Sequence, residues 1–518
     1  MGRALRVVPG GLLRTRCAPA ALASARPWQQ CNASRPARFA SEPGLGRRPD
    51  TAVRCLSTSA TFNAEDPLSL GLGRPADELL YPKFKNTRTG KVRWNEQYVS
   101  FCVGTSKWSE PVSRLWLRDS CACPHCVDPD SGQKNFSTTD LADTPDLANA
   151  EVTPDGSLKL VWANDGPSGG ASHTTIFPTQ EARDLLNFQW RRGATVRKAD
   201  AIPWNRSMYE ALLAEERCRV SYNDWVAGGD AFWAALADLR QTGLIFVTDV
   251  PSDEKEVERI ATRIGPLMHT FYGWTWDVKS KPQAENVAYT SKFLGLHQDL
   301  MYHDPIPGLQ LLHCLHNSCE GGESLFSHGV RAAYEMMIGQ PEAYTTLLRS
   351  RTWFGYHKGE HHHYLPRETI KTGSDGHPHE TRWAPPFQVT FPPHSSRDRL
   401  REWKAAATAF QTIVESERNM VEVKLKPGEC VIFENRRVLH GRRQFAVGGG
   451  GERWLKGAYV SQANYIAAAT RLAEHMHTSG VESYLDPAGW KTMEMVANTM
   501  PPQVRGNPRA KGKTRRTK

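Results

Sequence analysis

Apolar residues along this chain fall into short blocks more often than into long helical stripes, and the lengths of those blocks predict most of the architecture. Between residues 91 and 185 the strand-like pieces YVSFCVG and SLKLVWA are separated by Pro, Gly and Asp clusters, which predicts a small β-rich unit. Residues 64–90 read as loop, and 186–230 as a connecting region in which PWNRSMYEALLAEE fits a short helix. A larger unit is expected over residues 205–484. In it the helical DAFWAALADLRQTG (Asp230 to Gly243) passes directly into the buried-strand block LIFVTDV. AENVAYT, GLQLLHC, VEVKL, ECVIFE and RWLKGAYV then read as strands, so the predicted class is α+β, mainly β, with a jelly roll flanked by helices. The stretch from about His357 to Arg397, rich in His, Pro and Gly, predicts a loop inserted at the rim of the barrel. Residues 485–518 predict a basic, disordered tail, and no internal repeat is visible.

Charge changes this picture at the two ends. The chain of 518 residues carries a formal +10. Residues 1–62 hold ten Arg, no Lys and only Glu42 and Asp50, and residues 505–518 hold seven basic residues and no acid. Residues 63–504 are left at −5, which argues against a basic nucleic-acid groove in the folded part. The Arg-, Ala- and Ser-rich, acid-poor residues 1–60 have the composition of a mitochondrial transit peptide, with RCLSTSA (Arg54 to Ala60) as a processing junction. A matrix location is therefore expected. No apolar run reaches the roughly 18 residues that a membrane span needs, so no membrane partner is expected. Eleven scattered Cys do not form a disulfide framework, and in a reducing compartment the clustered ones read as metal ligands.

The candidate chemistry centres on His297-Gln298-Asp299, the single His-x-Asp/Glu among 18 histidines. On extended backbone, side chains at i and i+2 point the same way, so imidazole and carboxylate can share one ion. A second His stands 141 residues beyond Asp299, at the end of ECVIFENRRVLHGRRQF's inner block, in His440-Gly441. Two His and one carboxylate make a facial triad that leaves three octahedral positions open, as non-haem Fe(II) oxygenases require for a 2-oxo acid and O2. A closed zinc site could not do this chemistry. Arg453 lies thirteen residues after His440 on the strand RWLKGAYV and suits the distal carboxylate of such an acid, because guanidinium meets carboxylate bidentately. Without that context it would read as an exposed strand Arg.

NVAYT, HQD, PGLQLLHC, GGES, LHGRR and RWLKGAY, in this order from about Trp94 to Glu474, resemble the gamma-butyrobetaine and trimethyllysine dioxygenase family, itself related to taurine dioxygenase. The resemblance implies a double-stranded β-helix carrying Fe(II), with 2-oxoglutarate and O2 as co-substrates and a small molecule as substrate. It also allows ascorbate as a reductant and a homodimer as the assembly. His297, Asp299 and His440 match the iron ligands, and Arg453 matches the Arg of 2-oxoglutarate binding, with Asn286, Leu312 and Ser324 at further contact positions. Tyr272, Trp276, Tyr289 and Tyr459 match aromatics that enclose a trimethylammonium head, which cannot donate hydrogen bonds and is commonly held by ring faces. Cys121, Cys123, Cys126 and His173 match an N-terminal structural zinc site, and three thiolates with one imidazole complete a closed tetrahedron. A redox CxxC would want a βαβ context that is missing here, and His125 is disfavoured as a ligand because its neighbour Cys126 points inward. His361-His362-His363 is expected to be a solvated tract. Where the carnitine-pathway enzymes carry an Asn-rich segment against the substrate, this chain has RWAPPF (Arg382 to Phe387), and Pro cannot supply those amide contacts. Hydroxylation of gamma-butyrobetaine to L-carnitine is the leading expectation, trimethyllysine hydroxylation the alternative, and an inactive metal-binding protein the reading from another class.

Overall fold

The computed structural model describes residues 81, 83–104, 107–186, 201–279, 290–373, 376–446, 451–478 and 489–501. The expected transit peptide, the strand-like AENVAY, Asn286 and Tyr289 lie outside them.

The N-terminal unit holds two antiparallel sheets. One contains β1 (Lys83–Asn86), β2 (Gly90–Trp94), β3 (Tyr98–Val103) and β4 (Val112–Ser113), and the other β5 (Asp146–Val152), β6 (Leu158–Ala163) and β7 (His173–Phe177). Strands β6 and β7 alternate buried and open positions, as half-buried strands should. The buried positions of both sheets meet in one core of Trp94, Phe101, Leu147, Leu160, Trp162 and Phe177. The Trp162 indole N–H is satisfied inside that core by Thr175 Oγ1 at 2.9 Å.

The larger unit begins with β8 (Arg219–Ser221), the helix Gly229–Thr242 and β9 (Leu244–Thr248). It continues with β10 (Thr275–Lys279), β11 (Leu294–His297), β12 (Pro307–Asn317) and β13 (Ser324–His328). Two hairpins follow, β14 (Arg351–Lys358) with β15 (His361–Glu368), and β16 (Ile370–Thr372) with β17 (Pro378–Thr381). The last strands are β18 (Met420–Val423), β19 (Cys430–Glu434), β20 (Val438–Arg442) and β21 (Arg453–Ser461). They build a six-stranded sheet in the order β10-β21-β12-β19-β9-β8 and a four-stranded sheet in the order β11-β20-β13-β18. From β10 onward the barrel strands go back and forth between these two sheets, which makes the domain a double-stranded β-helix with helices on its outside. Strand β9 is apolar and buried at four of its five positions because the sheet covers one face and helices the other. Helices Gly229–Thr242, Glu256–Ile264 and Gln462–Thr478 pack behind the large sheet, and Gly329–Gly339, Pro341–Arg349 and Arg397–Val414 behind the small one.

Two expectations need correction. The His357–Arg397 stretch is not a loop: β15, β16 and β17 pass through it, held by antiparallel backbone pairing, with Tyr356 opposite His363, Phe354 opposite Leu365 and Ile370 opposite Thr381. Part of the expected disordered tail is a helix, Gly489–Thr499, whose Val496 is buried with Met500 against Val330 and Tyr334. The Arg331 guanidinium also donates to Thr499 Oγ1 at 2.9 Å.

Candidate active site

His297 ends β11 and His440 lies opposite it on β20, in direct cross-strand register. Strand pairing therefore brings together two imidazoles that the sequence separates widely, with ring centroids 4.3 Å apart. Asp299 follows two residues after His297, and its Oδ1 stands 3.3 Å from His297 Nε2 and 3.9 Å from His440 Nε2. One ligand atom from each of the three can meet a single ion. The His297 tautomer follows from its surroundings. Nδ1 faces the Gly295 carbonyl at 2.8 Å, and a carbonyl only accepts, so Nδ1 carries the proton and Nε2 presents its lone pair. Burial pushes the His440 pKa down to about 3, so this imidazole is neutral and able to ligate at neutral pH. Burial acts to raise the Asp299 carboxyl, but its contacts with His297 and His440 and the hydrogen bond from the Tyr459 hydroxyl outweigh it, and the group is held well below the usual carboxylate range.

Asp299 is braced from three sides. The Asn435 side chain clamps its backbone, accepting from the Asp299 N–H at 2.9 Å and donating Nδ2–H to the Asp299 carbonyl at 2.9 Å. Gln298, pointing the opposite way, donates to the Asn435 carbonyl at 2.8 Å and accepts from the Trp383 N–H at 3.0 Å. The Tyr459 hydroxyl donates to Asp299 Oδ2 at 2.7 Å. Asn435 and Gln298 are ligand-positioning residues that motif reading passed over. The available signal was a polar residue directly after a fully buried strand, ECVIFE-Asn435.

The cluster opens into a cavity that is also lined by Trp276, Leu312, Ser324, Arg442 and Arg453. Arg453 and Leu455 of β21 both line it, and Tyr459 reaches Asp299 from the same face, as the alternation of a strand requires. Arg453 is buried, and its Nε has no hydrogen-bond partner among the described residues. Burial lowers its pKa, yet a guanidinium stays charged, so a buried cation stands ready for an anion. The GGES turn makes room for it. Gly321 and Gly322 have φ of +79° and +74°, and a Cβ on Gly322 would press on Arg453 Cδ at 3.2 Å. Arg442, a second residue not singled out in the sequence, donates to the carbonyls of Thr290 (2.6 Å) and Lys292 (2.8 Å) and so ties the entry of β11 to β20.

Of the four expected cage aromatics, three are described. Trp276 lines the cavity and stacks on Tyr459 with centroids 4.0 Å apart, while Tyr272 lies 6.3 Å from Trp276. Phe271, Tyr302 and Tyr356 extend this aromatic wall away from the cluster, and His363 of the expected solvated tract stacks against Phe271 at 5.1 Å. His361 and His362 are exposed. The RWAPPF segment supports the site from behind: Arg382 pairs with Glu368 and Glu380, and Trp383 holds Gln298.

In the N-terminal unit, the Sγ atoms of Cys121, Cys126 and Cys123 lie 3.3, 3.4 and 3.8 Å from His173 Nε2. His173 Nδ1 faces Ser168 Oγ at 3.4 Å. Arg118, buried and paired with Asp165 at 2.6 Å, also donates to Cys126 Sγ at 3.3 Å. Burial pushes the Cys126 thiol up to about 12 in the absence of a metal. His125 stands outside this group.

The family model described as taurine catabolism dioxygenase TauD, TfdA family, matches residues 207–459. Dioxygenase str8 of Strobilurus tenacellus is 33% identical over 364 residues, covering 67% of this chain and 81% of that protein. The gamma-butyrobetaine dioxygenase of Pseudomonas sp. (strain AK-1) is 30% identical over 375 residues, covering 71% and 94%. The mitochondrial trimethyllysine dioxygenase of Mus musculus is 25% identical over 451 residues, covering 78% and 95%. A double-stranded β-helix with a two-His, one-carboxylate cluster beside a buried Arg is the framework of an Fe(II)- and 2-oxoglutarate-dependent dioxygenase acting on a small molecule. Within that class, the chain belongs to the gamma-butyrobetaine and trimethyllysine dioxygenase family.

Proposed function

We propose that this protein hydroxylates a C–H bond of a trimethylammonium-bearing acid, with gamma-butyrobetaine as substrate and L-carnitine as product. The observation that carries the reading is one cavity lined by the His297, Asp299 and His440 cluster, by the buried Arg453 and by Trp276. His297, Asp299 and His440 hold Fe(II), which when bound couples the oxidative decarboxylation of 2-oxoglutarate to substrate hydroxylation. Arg453 neutralises the distal carboxylate of 2-oxoglutarate, the Ser324 hydroxyl adds a hydrogen bond, and Leu312 supplies apolar wall beside it, with Asn286 completing the set. Trp276, Tyr272 and Tyr459 turn ring faces to the ammonium head and aim one C–H at the metal, and Tyr289, outside the described residues, is assigned to the same cage by the family resemblance. Each well-placed face is worth about 0.5–2 kcal/mol toward a quaternary cation. The names of the Pseudomonas and mouse relatives support this class of substrate.

Trimethyllysine has the same head and is the second reading, favoured by the mouse relative's name. A mitochondrial location, with residues 1–60 as transit peptide, rests on the composition of the leader and on the same name. In the N-terminal unit, Cys121, Cys123, Cys126 and His173 hold a structural zinc ion, a reading supported by the convergence of four donors.

The test is a turnover panel with Fe(II) and 2-oxoglutarate, reading succinate and hydroxylated product from gamma-butyrobetaine, trimethyllysine and a tert-butyl isostere of gamma-butyrobetaine. Product from gamma-butyrobetaine and little from the isostere is expected. Equal turnover of the isostere rejects ammonium recognition, and product from trimethyllysine alone moves the assignment to the second reading. Absence of succinate with every substrate leaves a metal-binding protein without this activity.

A further inference from the structure

Tyr459 reaches Asp299 in a way that a cage wall does not require. A residue that only offered a ring face to a cation would serve equally well as Phe. Here the hydroxyl is buried and donates to Asp299 Oδ2 at 2.7 Å, while Oδ1 of the same carboxylate faces His297 Nε2 at 3.3 Å and His440 Nε2 at 3.9 Å. The two carboxylate oxygens are thus told apart before any metal binds. One points to the shared ligand position, and the other is occupied by a donor. On its other side the Tyr459 ring stacks on Trp276, which lines the cavity, so a single side chain touches both the metal ligand and the aromatic wall.

We infer that Tyr459 is a positioning residue for the metal, whose hydroxyl holds Asp299 as a one-oxygen ligand through Oδ1. This deepens the proposed function and rests on its assignment of the iron ligands. The physical reason is geometric. A carboxylate free to turn about its terminal bond can present both oxygens to a divalent ion and fill one of the three positions that the co-substrates need. A charge-assisted hydrogen bond to Oδ2 removes that freedom, and partners of this kind orient ligands in metal sites generally. The backbone clamp from Asn435 fixes where Asp299 stands, whereas the Tyr459 hydroxyl fixes how its carboxylate is turned.

The experiment uses the full chain with Tyr459→Phe, which keeps the ring, its volume and its stacking and removes only the hydroxyl. Trp276→Leu serves as the companion variant that disturbs the wall without touching Asp299. Mn(II) affinity is measured by electron paramagnetic resonance titration with neither substrate nor 2-oxoglutarate present, and the visible absorption of the Co(II) form is recorded. Thermal melts of the proteins with the barrel site empty and zinc retained in the N-terminal unit check that both variants fold. Tyr459→Phe is expected to weaken Mn(II) binding about tenfold, the lower end for losing a partner of a metal ligand, and to change the Co(II) ligand-field bands. Trp276→Leu is expected to leave both unchanged. Tyr459→Phe affinity within twofold of wild type with an unaltered Co(II) spectrum overturns the inference, as does an equal loss in Trp276→Leu, which would assign the effect to packing. Because neither readout involves a substrate, an error in the trimethylammonium assignment would show in the turnover panel and not here.

Discussion

The two donor clusters among the described residues invite a direct comparison. In the N-terminal unit three thiols and one imidazole converge, and a tetrahedral ion held by all four would have no position left. In the barrel two imidazoles and one carboxylate converge at a cavity wall, and an octahedral ion would keep three positions for other molecules. Charge follows the same division. Three thiolates around a divalent cation would carry an excess of one negative charge, and the N–H that Arg118 donates to Cys126 Sγ disperses part of it, while the guanidinium as a whole is paired with Asp165. One carboxylate around a divalent cation leaves an excess positive charge. Together with Arg453 in the same cavity, that favours an incoming dianion. Where the protein supplies all the balancing groups a cluster can only stabilise, and where it withholds some the cluster can bind and react.

Substitutions can break or sharpen this contrast. The largest effect is expected from Asp299→Ala, which removes the sole anionic ligand. Fe(II) binding and succinate release should fall beyond the 10–100-fold or so that outer partners of a metal site cost. Wild-type turnover in this variant would dissolve the distinction on the barrel side. Arg453→Met comes next. Truncating one partner of a buried charge pair costs about 2–5 kcal/mol, so the KM for 2-oxoglutarate should rise at least about thirtyfold while metal affinity holds. A KM within twofold of wild type would show that the anion is met elsewhere.

Cys123→Ser tests the other cluster. It should release one zinc equivalent and lower the melting temperature of the N-terminal unit by about 10 °C, since 1 kcal/mol moves a unit of about 100 residues by about 4–8 °C. Fe(II) affinity in the barrel should stay the same, and wild-type protein free of zinc on elemental analysis would end the comparison. The smallest effect is expected from Trp276→Leu. The KM for a trimethylammonium substrate should rise several-fold, as loss of one ring face worth about 1 kcal/mol implies, with little change in melting temperature. A large drop in melting temperature at constant KM would make Trp276 a packing residue.

The sequence made the barrel legible wherever a strand is buried on both faces, because LIFVT and CVIFE then read as unbroken apolar runs. His297 and Asp299 were visible because their spacing is local. Strand β15 escaped because none of its eight positions is buried and its residues are mostly His, Tyr, Arg and Glu, so no period of two shows on a hydrophobicity reading. Helix Gly489–Thr499 escaped because, among its described side chains, Val496 is the one that is buried against the body of the protein. Asn435 and Gln298 escaped for a different reason. Each acts on backbone groups far away in the chain, over separations of 136 and 85 residues, and no local pattern encodes such a bond.

One missing methyl group has consequences for what the cavity admits. Gly457 of β21 lies directly opposite Trp276 of β10, and a Cβ there would collide with the indole ring. The indole can lie flat across the strand only because that position is bare, so the depth of the recess behind it is set by a glycine that touches no substrate. Gly457 works as a spacer of zero thickness. Replacing it with Ala would displace the ring by about the width of a methyl and so reshape the recess without altering any other side chain that lines it.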